Sequence, residues 1–341
     1  MRMILLAAAL VTLLAGPVLG EAQIRMELAT QPGFPATGSH KWYKLLTDLG
    51  VDGLRIRGLR AGDEVTIIQR GTEARPSYDV LGILTAGDEL VLKGGRFSSR
   101  DIGELKKFLD DLRSEGIEEV TTEKGAFGIT NSQLIAAVED LTPPVRFATE
   151  ALPLGQLLEQ AQRRIELPIV VEPAARAALA QAGECRDELQ GVSLGTAMAV
   201  ALGAEGLVLL PNKVRGGELQ LVITRPRAEG EAWPMGWPPQ GAERELAPAL
   251  FEFLSVEISG IALPKALDAV KQRLKIPFLF DRHSLAQQAI VMDEIKVSVP
   301  AGRSYYKRVL DRMLFQARLQ GELRVDEAGS PFYWITTIKQ P

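Results

Sequence analysis

The last third of the chain, residues 254–338, constrains the fold more than any other stretch. Leu263, Ala266, Leu267, Val270 and Leu274 fall at i, i+3, i+4, i+7 and i+11. Tyr306, Val309, Leu310, Met313, Leu314 and Ala317 make a second face of this kind. Such spacing lines one side of an α-helix with apolar groups. Short β-rich runs surround both helices: Val256 with Ile258, residues 277–280, Val297 with Val299, residues 323–325 and residues 332–338. Helical periods set between short strands predict helices packed on a small sheet, an α+β arrangement.

The same pattern occurs earlier. Leu154, Leu157, Leu158, Ala161 and Ile165 repeat the spacing of the Leu263–Leu274 face. Each helix leads into a proline and an apolar strand, Pro168-Ile169-Val170-Val171 in one case and Pro277-Phe278-Leu279-Phe280 in the other. Leu194, Ala197, Met198, Ala201 and Leu202 then match the second helical face. Shared order and spacing predict two copies of one βαββαββ unit, over residues 143–225 and 250–341. Between them, residues 226–249 carry Trp233-Pro234-Met235-Gly236-Trp237-Pro238-Pro239, an extended linker by its proline content.

Upstream, residues 39–142 read as a separate small α+β module. A helix with Trp42, Leu45, Leu46 and Leu49 on one face opens it. Strands are predicted at residues 54–57, 65–69, 78–84 and 90–92, and a helix at 101–115 with Ile102, Leu105, Phe108, Leu109 and Leu112 inward. Thr130 with Gln133 forms a capping-box pattern before another helix. Residues 21–38 hold Pro32, Gly33, Pro35 and Gly38 and read as a linker.

The address comes from the start of the chain. Residues 1–20 show a basic Arg2, a compact apolar run to Ala15, a Gly16-Pro17 break and small residues before Glu21. That is the pattern of a cleaved signal peptide, too short to span a bilayer comfortably. No other long apolar run follows, so no transmembrane segment is expected after the signal is removed. With 46% hydrophobic and 24% charged residues over its 341 residues, the whole chain has the composition of a folded protein. Its net charge of −4 argues against a nucleic-acid partner. The single cysteine, Cys185, excludes an internal disulfide in an oxidising compartment.

Gly191-Val192-Ser193-Leu194-Gly195 followed by Thr196-Ala197-Met198 resembles the short N-terminal (STN) domain of secretins and TonB-dependent receptors. Leu263-Pro264-Lys265-Ala266-Leu267-Asp268-Ala269-Val270 with Ile276-Pro277-Phe278-Leu279-Phe280-Asp281 does so too. Residues 251–337 further resemble uncharacterised secreted bacterial proteins with that domain, notably at Val297-Ser298-Val299-Pro300-Ala301-Gly302-Arg303-Ser304-Tyr305-Tyr306-Lys307 and Pro331-Phe332-Tyr333-Trp334-Ile335-Thr336. The resemblance implies periplasmic docking modules that are not enzymes, here with a cell-envelope protein as the expected partner. Trp233, Trp237, Tyr305 and Trp334 are the expected contacts, because aromatics dominate interface hot spots. Alternatively, the linker tryptophans pin the linker to the repeats, or the aromatics bind an envelope polysaccharide.

A catalytic reading competes. Residues 191–195 match the G-x-S-x-G nucleophile elbow, with Ser193 as nucleophile, His283 as base and Asp281 as orienter. The segment before Ser193 is mostly polar and not a buried parallel strand, and capping at a strand-to-helix turn accounts for the serine as well. The two histidines, His40 and His283, give little material for a metal centre, and neither a metal nor a cofactor is expected.

Overall fold

The computed structural model describes residues 22–72, 75–214, 217–227 and 231–338. The expected signal segment, with its cleavage point before Glu21, lies outside them. Among the described residues the chain is mixed α+β, with eleven α-helices and fourteen strands in several sheets. It divides into two compact units, Met1–Glu123 and Lys124–Pro341.

The first unit runs β1 (Gln23–Thr30), α1 (Gly38–Asp48), β2 (Asp52–Gly58), β3 (Thr66–Thr72), β4 (Arg75–Leu84), β5 (Glu89–Leu92), β6 (Gly95–Ser98), α2 (Ile102–Glu115) and α3 (Ile117–Thr121). Part of the expected 21–38 linker is therefore a strand. Ile24, Met26 and Leu28 are buried and alternate with Arg25 and Glu27, a period of two that is obscured by the prolines and glycines after it. β1 pairs in parallel with β2 on one side and β4 on the other, giving the order β2-β1-β4-β5-β6 with β3 also on β4. Trp42 and Leu46 of α1, with Leu105, Phe108, Leu109 and Leu112 of α2, pack with the buried residues of β1. Arg113 of α2 donates to the carbonyls of Leu49 (2.8 Å) and Gly50 (2.7 Å), holding the end of α1.

The second unit opens with α4 (Asn131–Leu141), so this helix joins the downstream core and not the N-terminal module. Its Thr130 capping box is formed as the sequence predicts. α5 (Leu154–Gln162), β7 (Ile169–Val171), α6 (Pro173–Gln181), α7 (Leu194–Ala204), β8 (Val208–Lys213) and β9 (Leu219–Thr224) follow. Then come α8 (Glu243–Leu246), β10 (Phe253–Ala262), α9 (Leu263–Leu274), β11 (Phe278–Phe280), α10 (Arg282–Gln287), β12 (Lys296–Tyr305), α11 (Tyr306–Gln316), β13 (Leu319–Val325) and β14 (Pro331–Thr337). Two three-stranded sheets result, β7-β9-β8 and β11-β14-β13. In each, the central strand is parallel to the first and antiparallel to the third.

The apolar faces of α5, α9 and α11 are buried as their spacing requires. α7 differs: every residue from Leu194 to Gly203 is buried, because the helix is apolar all round and is packed all round. β14 separates two cores. Phe332 and Trp334 join Leu279 in the core of α5 and α7, whereas Tyr333 and Ile335 join Phe278 in the core of α9 and α11. Strand alternation sends successive side chains to opposite sides, so one strand serves both.

Candidate functional site

Ser193 ends an irregular segment and begins α7. It is fully buried. Its hydroxyl makes no cap bond to its own helix and instead accepts the amide of Ala328 at 3.3 Å. The helix start is capped from afar by the β13–β14 turn: Asp326 Oδ2 accepts the Ser193 amide at 2.9 Å, and Glu327 Oε2 accepts the Thr196 amide at 3.1 Å and hydroxyl at 2.9 Å. Carboxylates suit this position, because they meet free amides at the positive end of the helix dipole. Glu327 Oε1 also accepts Trp233 Nε1 at 2.6 Å. Burial raises the Glu327 carboxyl above its ordinary range, opposed by the bonds from Trp233 and Thr196.

The other two members of the expected triad are held elsewhere. Asp281 caps α10, accepting the Ser284 amide (3.0 Å) and hydroxyl (2.7 Å) together with the Thr336 hydroxyl (2.9 Å). His283 Nε2 is bonded to Gln287 Nε2 at 2.8 Å. Among the described residues no hydrogen bond joins Ser193, His283 and Asp281, and the serine lacks a base. Ser193 thus stands in a structural cap. The neighbouring Arg282 has the more active role, forming a two-point ion pair with buried Asp187 (2.6 and 3.2 Å) while stacking over Phe280.

The four aromatic residues expected as contacts fall into two groups. Trp233 and Trp334 are buried, at 2% and 3% exposure, and so do not present their rings to a partner. Trp233 is pinned by its amide to Leu209 O at 2.7 Å and by its indole to Glu327, and it stacks on Phe127. The linker is fixed to the fold in this way. Gly236, at φ +79°, permits its close passage, since a side chain there would collide with the Phe332 ring. Trp237 is half-buried, exchanges both backbone hydrogen bonds with Val325, and lines an apolar groove of about 1020 Å³ with Leu134, Ile135 and Val138 of α4.

Tyr305 is partly exposed at the end of β12. β10 and β12 form a free two-stranded antiparallel ribbon of ten-residue strands. At its base Phe253, 66% exposed, meets Tyr305 edge-on, and Tyr305 stacks on Phe251. Arg303 lies over Phe253 and Arg244 over Phe251. One side of the ribbon packs inward through Leu254, Val256 and Ile258. Among the described residues each strand has a single ladder partner, and on β12 the Gln316 side chain bonds both the Ser298 amide and carbonyl (3.0 Å each), leaving the outer edge of β10 without a strand partner. Pro300 interrupts the β12 edge. The ladder shifts register between Val256 and Ile258 and again between Ile258 and Ile261, where Gly260 has φ +63°, so the regular part of the β10 edge is its start, Phe253–Val256.

Cys185 is partly buried, with its thiol raised by burial and its Sγ donating to the Asp187 carbonyl at 3.3 Å. Among the described residues no three His, Cys, Asp or Glu side chains are grouped to hold a metal ion, and no helix is long and apolar enough to cross a membrane. The cap formed by Asp326 and Glu327 gave no sequence signal beyond turn composition, because its targets lie more than 130 residues away. Comparison of the chain with protein-family models, with curated proteins and with solved structures found no match.

Proposed function

We propose that the chain is a non-enzymatic interaction module of the cell envelope, exported by its N-terminal segment to the periplasm or beyond. In this reading residues 143–225 and 250–341 are two copies of one STN-like unit. The common strand order and direction of the two three-stranded sheets supports the duplication, as does the helix–proline–strand order in both halves. The observation that carries the function is the β10–β12 ribbon. An unpaired strand edge beside an exposed aromatic cluster suits addition of an extended segment from a protein partner, with backbone bonds along β10 and side-chain contacts at Phe253 and Tyr305. The same aromatic and guanidinium surface is the feature that favours an envelope polysaccharide as the second reading.

The test is crosslinked affinity capture from the cell envelope with wild type and a Phe253→Asp/Arg303→Glu variant. One dominant protein, recovered by wild type and lost in a variant with unchanged thermal unfolding, is the expected result. Equal recovery by both refutes the ribbon as the docking edge.

A further inference from the structure

The open face of the first unit's sheet follows from its register. Arg25 of β1 is level with Asp79 of β4, and Asp79 with Ile68 of β3. One step along the same face, Glu27 is level with Arg55 of β2 and with Leu81 of β4. Directly opposite residues share a face, and Ile24, Met26 and Leu28 take the other one, toward the helices. These side chains border a cleft of about 550 Å³, within the size range of small-molecule sites.

Its charges divide into those that are paired and those that are not. Arg57 is held by Asp63 (2.9 Å) and by Glu27, and Asp79 accepts Arg70 Nε at 3.2 Å. Both carboxylates of the cleft thus already have an arginine. Arg25 and Arg55, both exposed, form no ion pair or side-chain hydrogen bond among the described residues. Asp52, level with Arg25 at the start of β2, makes no ion pair with it. Sheet spacing places the two Cα atoms roughly 8 Å apart, on neighbouring strands one step out of level. On the other side of the cleft Leu81 and an Ile68 that is 45% exposed give apolar surface, beside Thr66 and the Asp79 already paired with Arg70.

We propose that this cleft binds a small amphiphilic oxyanion, with a carboxylate or phosphate seated between Arg25 and Arg55 and an apolar body along Ile68 and Leu81. Guanidinium forks match both anions in two-point geometry, and unpaired ones have their donors available. The site lies on a different unit from the ribbon and does not depend on that reading.

Calorimetric titration of the full chain with hexyl phosphate, hexanoate and hexanol tests the assignment. Saturable one-to-one binding of at least one anion is expected, with hexanol at least tenfold weaker. Arg25→Gln/Arg55→Gln should weaken anion binding tenfold or more, and Arg100→Gln should leave it unchanged. Sedimentation with phosphatidylglycerol vesicles, lost in the double variant, assigns the anion to a lipid headgroup. Its absence beside hexyl phosphate binding assigns a free molecule. No saturable binding of either anion, or equal binding by the double variant, overturns the proposal.

Discussion

Removing the Glu327 side chain tests whether the second unit is held together by a cap supplied across its two halves. In Glu327→Ala the Trp233 indole N–H and the Thr196 amide lose their acceptor, while the Thr196 hydroxyl can turn to another. A buried donor left unpaired costs about 1–3 kcal/mol, so two give about 2–6 kcal/mol. Some of this is offset, because a carboxylate that is largely removed from water no longer has to be buried, leaving a net loss of about 1–4 kcal/mol. Equilibrium denaturation followed by tryptophan emission is the assay. Trp233, Trp237 and Trp334 report on the second unit and Trp42 on the first. The pH dependence supplies an independent check. Burial raises the Glu327 carboxyl above its unfolded value of about 4.3. The stabilisation linked to its protonation is therefore full below that pH and is lost as pH rises through the folded value. Glu327→Gln lacks this titration, so the stability difference should move in favour of the variant as pH rises across that window. A loss below about 0.5 kcal/mol in Glu327→Ala, the scale of ordinary surface substitutions, would refute the reasoning.

Two further outcomes are expected. Arg282→Ala leaves Asp187 buried without its charge partner, and thermal unfolding should show a loss of about 3 kcal/mol, with Arg282→Lys recovering only part. Cys185, whose thiol is raised by burial, should react with a disulfide reagent far more slowly in native protein than in denatured protein at pH 8; equal rates would contradict its placement.

Elements whose pattern is local were legible in the sequence. The faces of α5, α9 and α11, the strands β2 to β5 and the Thr130 capping box all follow from spacing within one element. β1 was hidden because its short alternation runs into Pro32 and Gly33, whose turn chemistry dominates the window. α6 was missed because an alanine-rich segment after Pro173 gives little amphipathic contrast, with only Ala175 fully buried. The candidate site was least legible. Whether Ser193 is a nucleophile or part of a cap depends on Asp326 and Glu327, and whether Trp233 meets a partner or the protein's own interior depends on Glu327 and Leu209. Neither dependence leaves a periodic trace, since both are set by tertiary contacts across the unit.

The sharing of β14 between two cores also bears on the order in which the chain can fold as it is made. The first unit has all its strands by Ser98 and its helices by Thr121, so its partners are present early. Neither core of the second unit is complete until residues 331–337 have emerged, because Phe332 and Trp334 close one and Tyr333 and Ile335 close the other. Long-range closure of this kind delays folding and keeps apolar surface open meanwhile. A nascent chain stalled short of Pro331 would carry a finished first unit followed by some two hundred residues without a wall for either core, and should be cut by protease throughout that stretch.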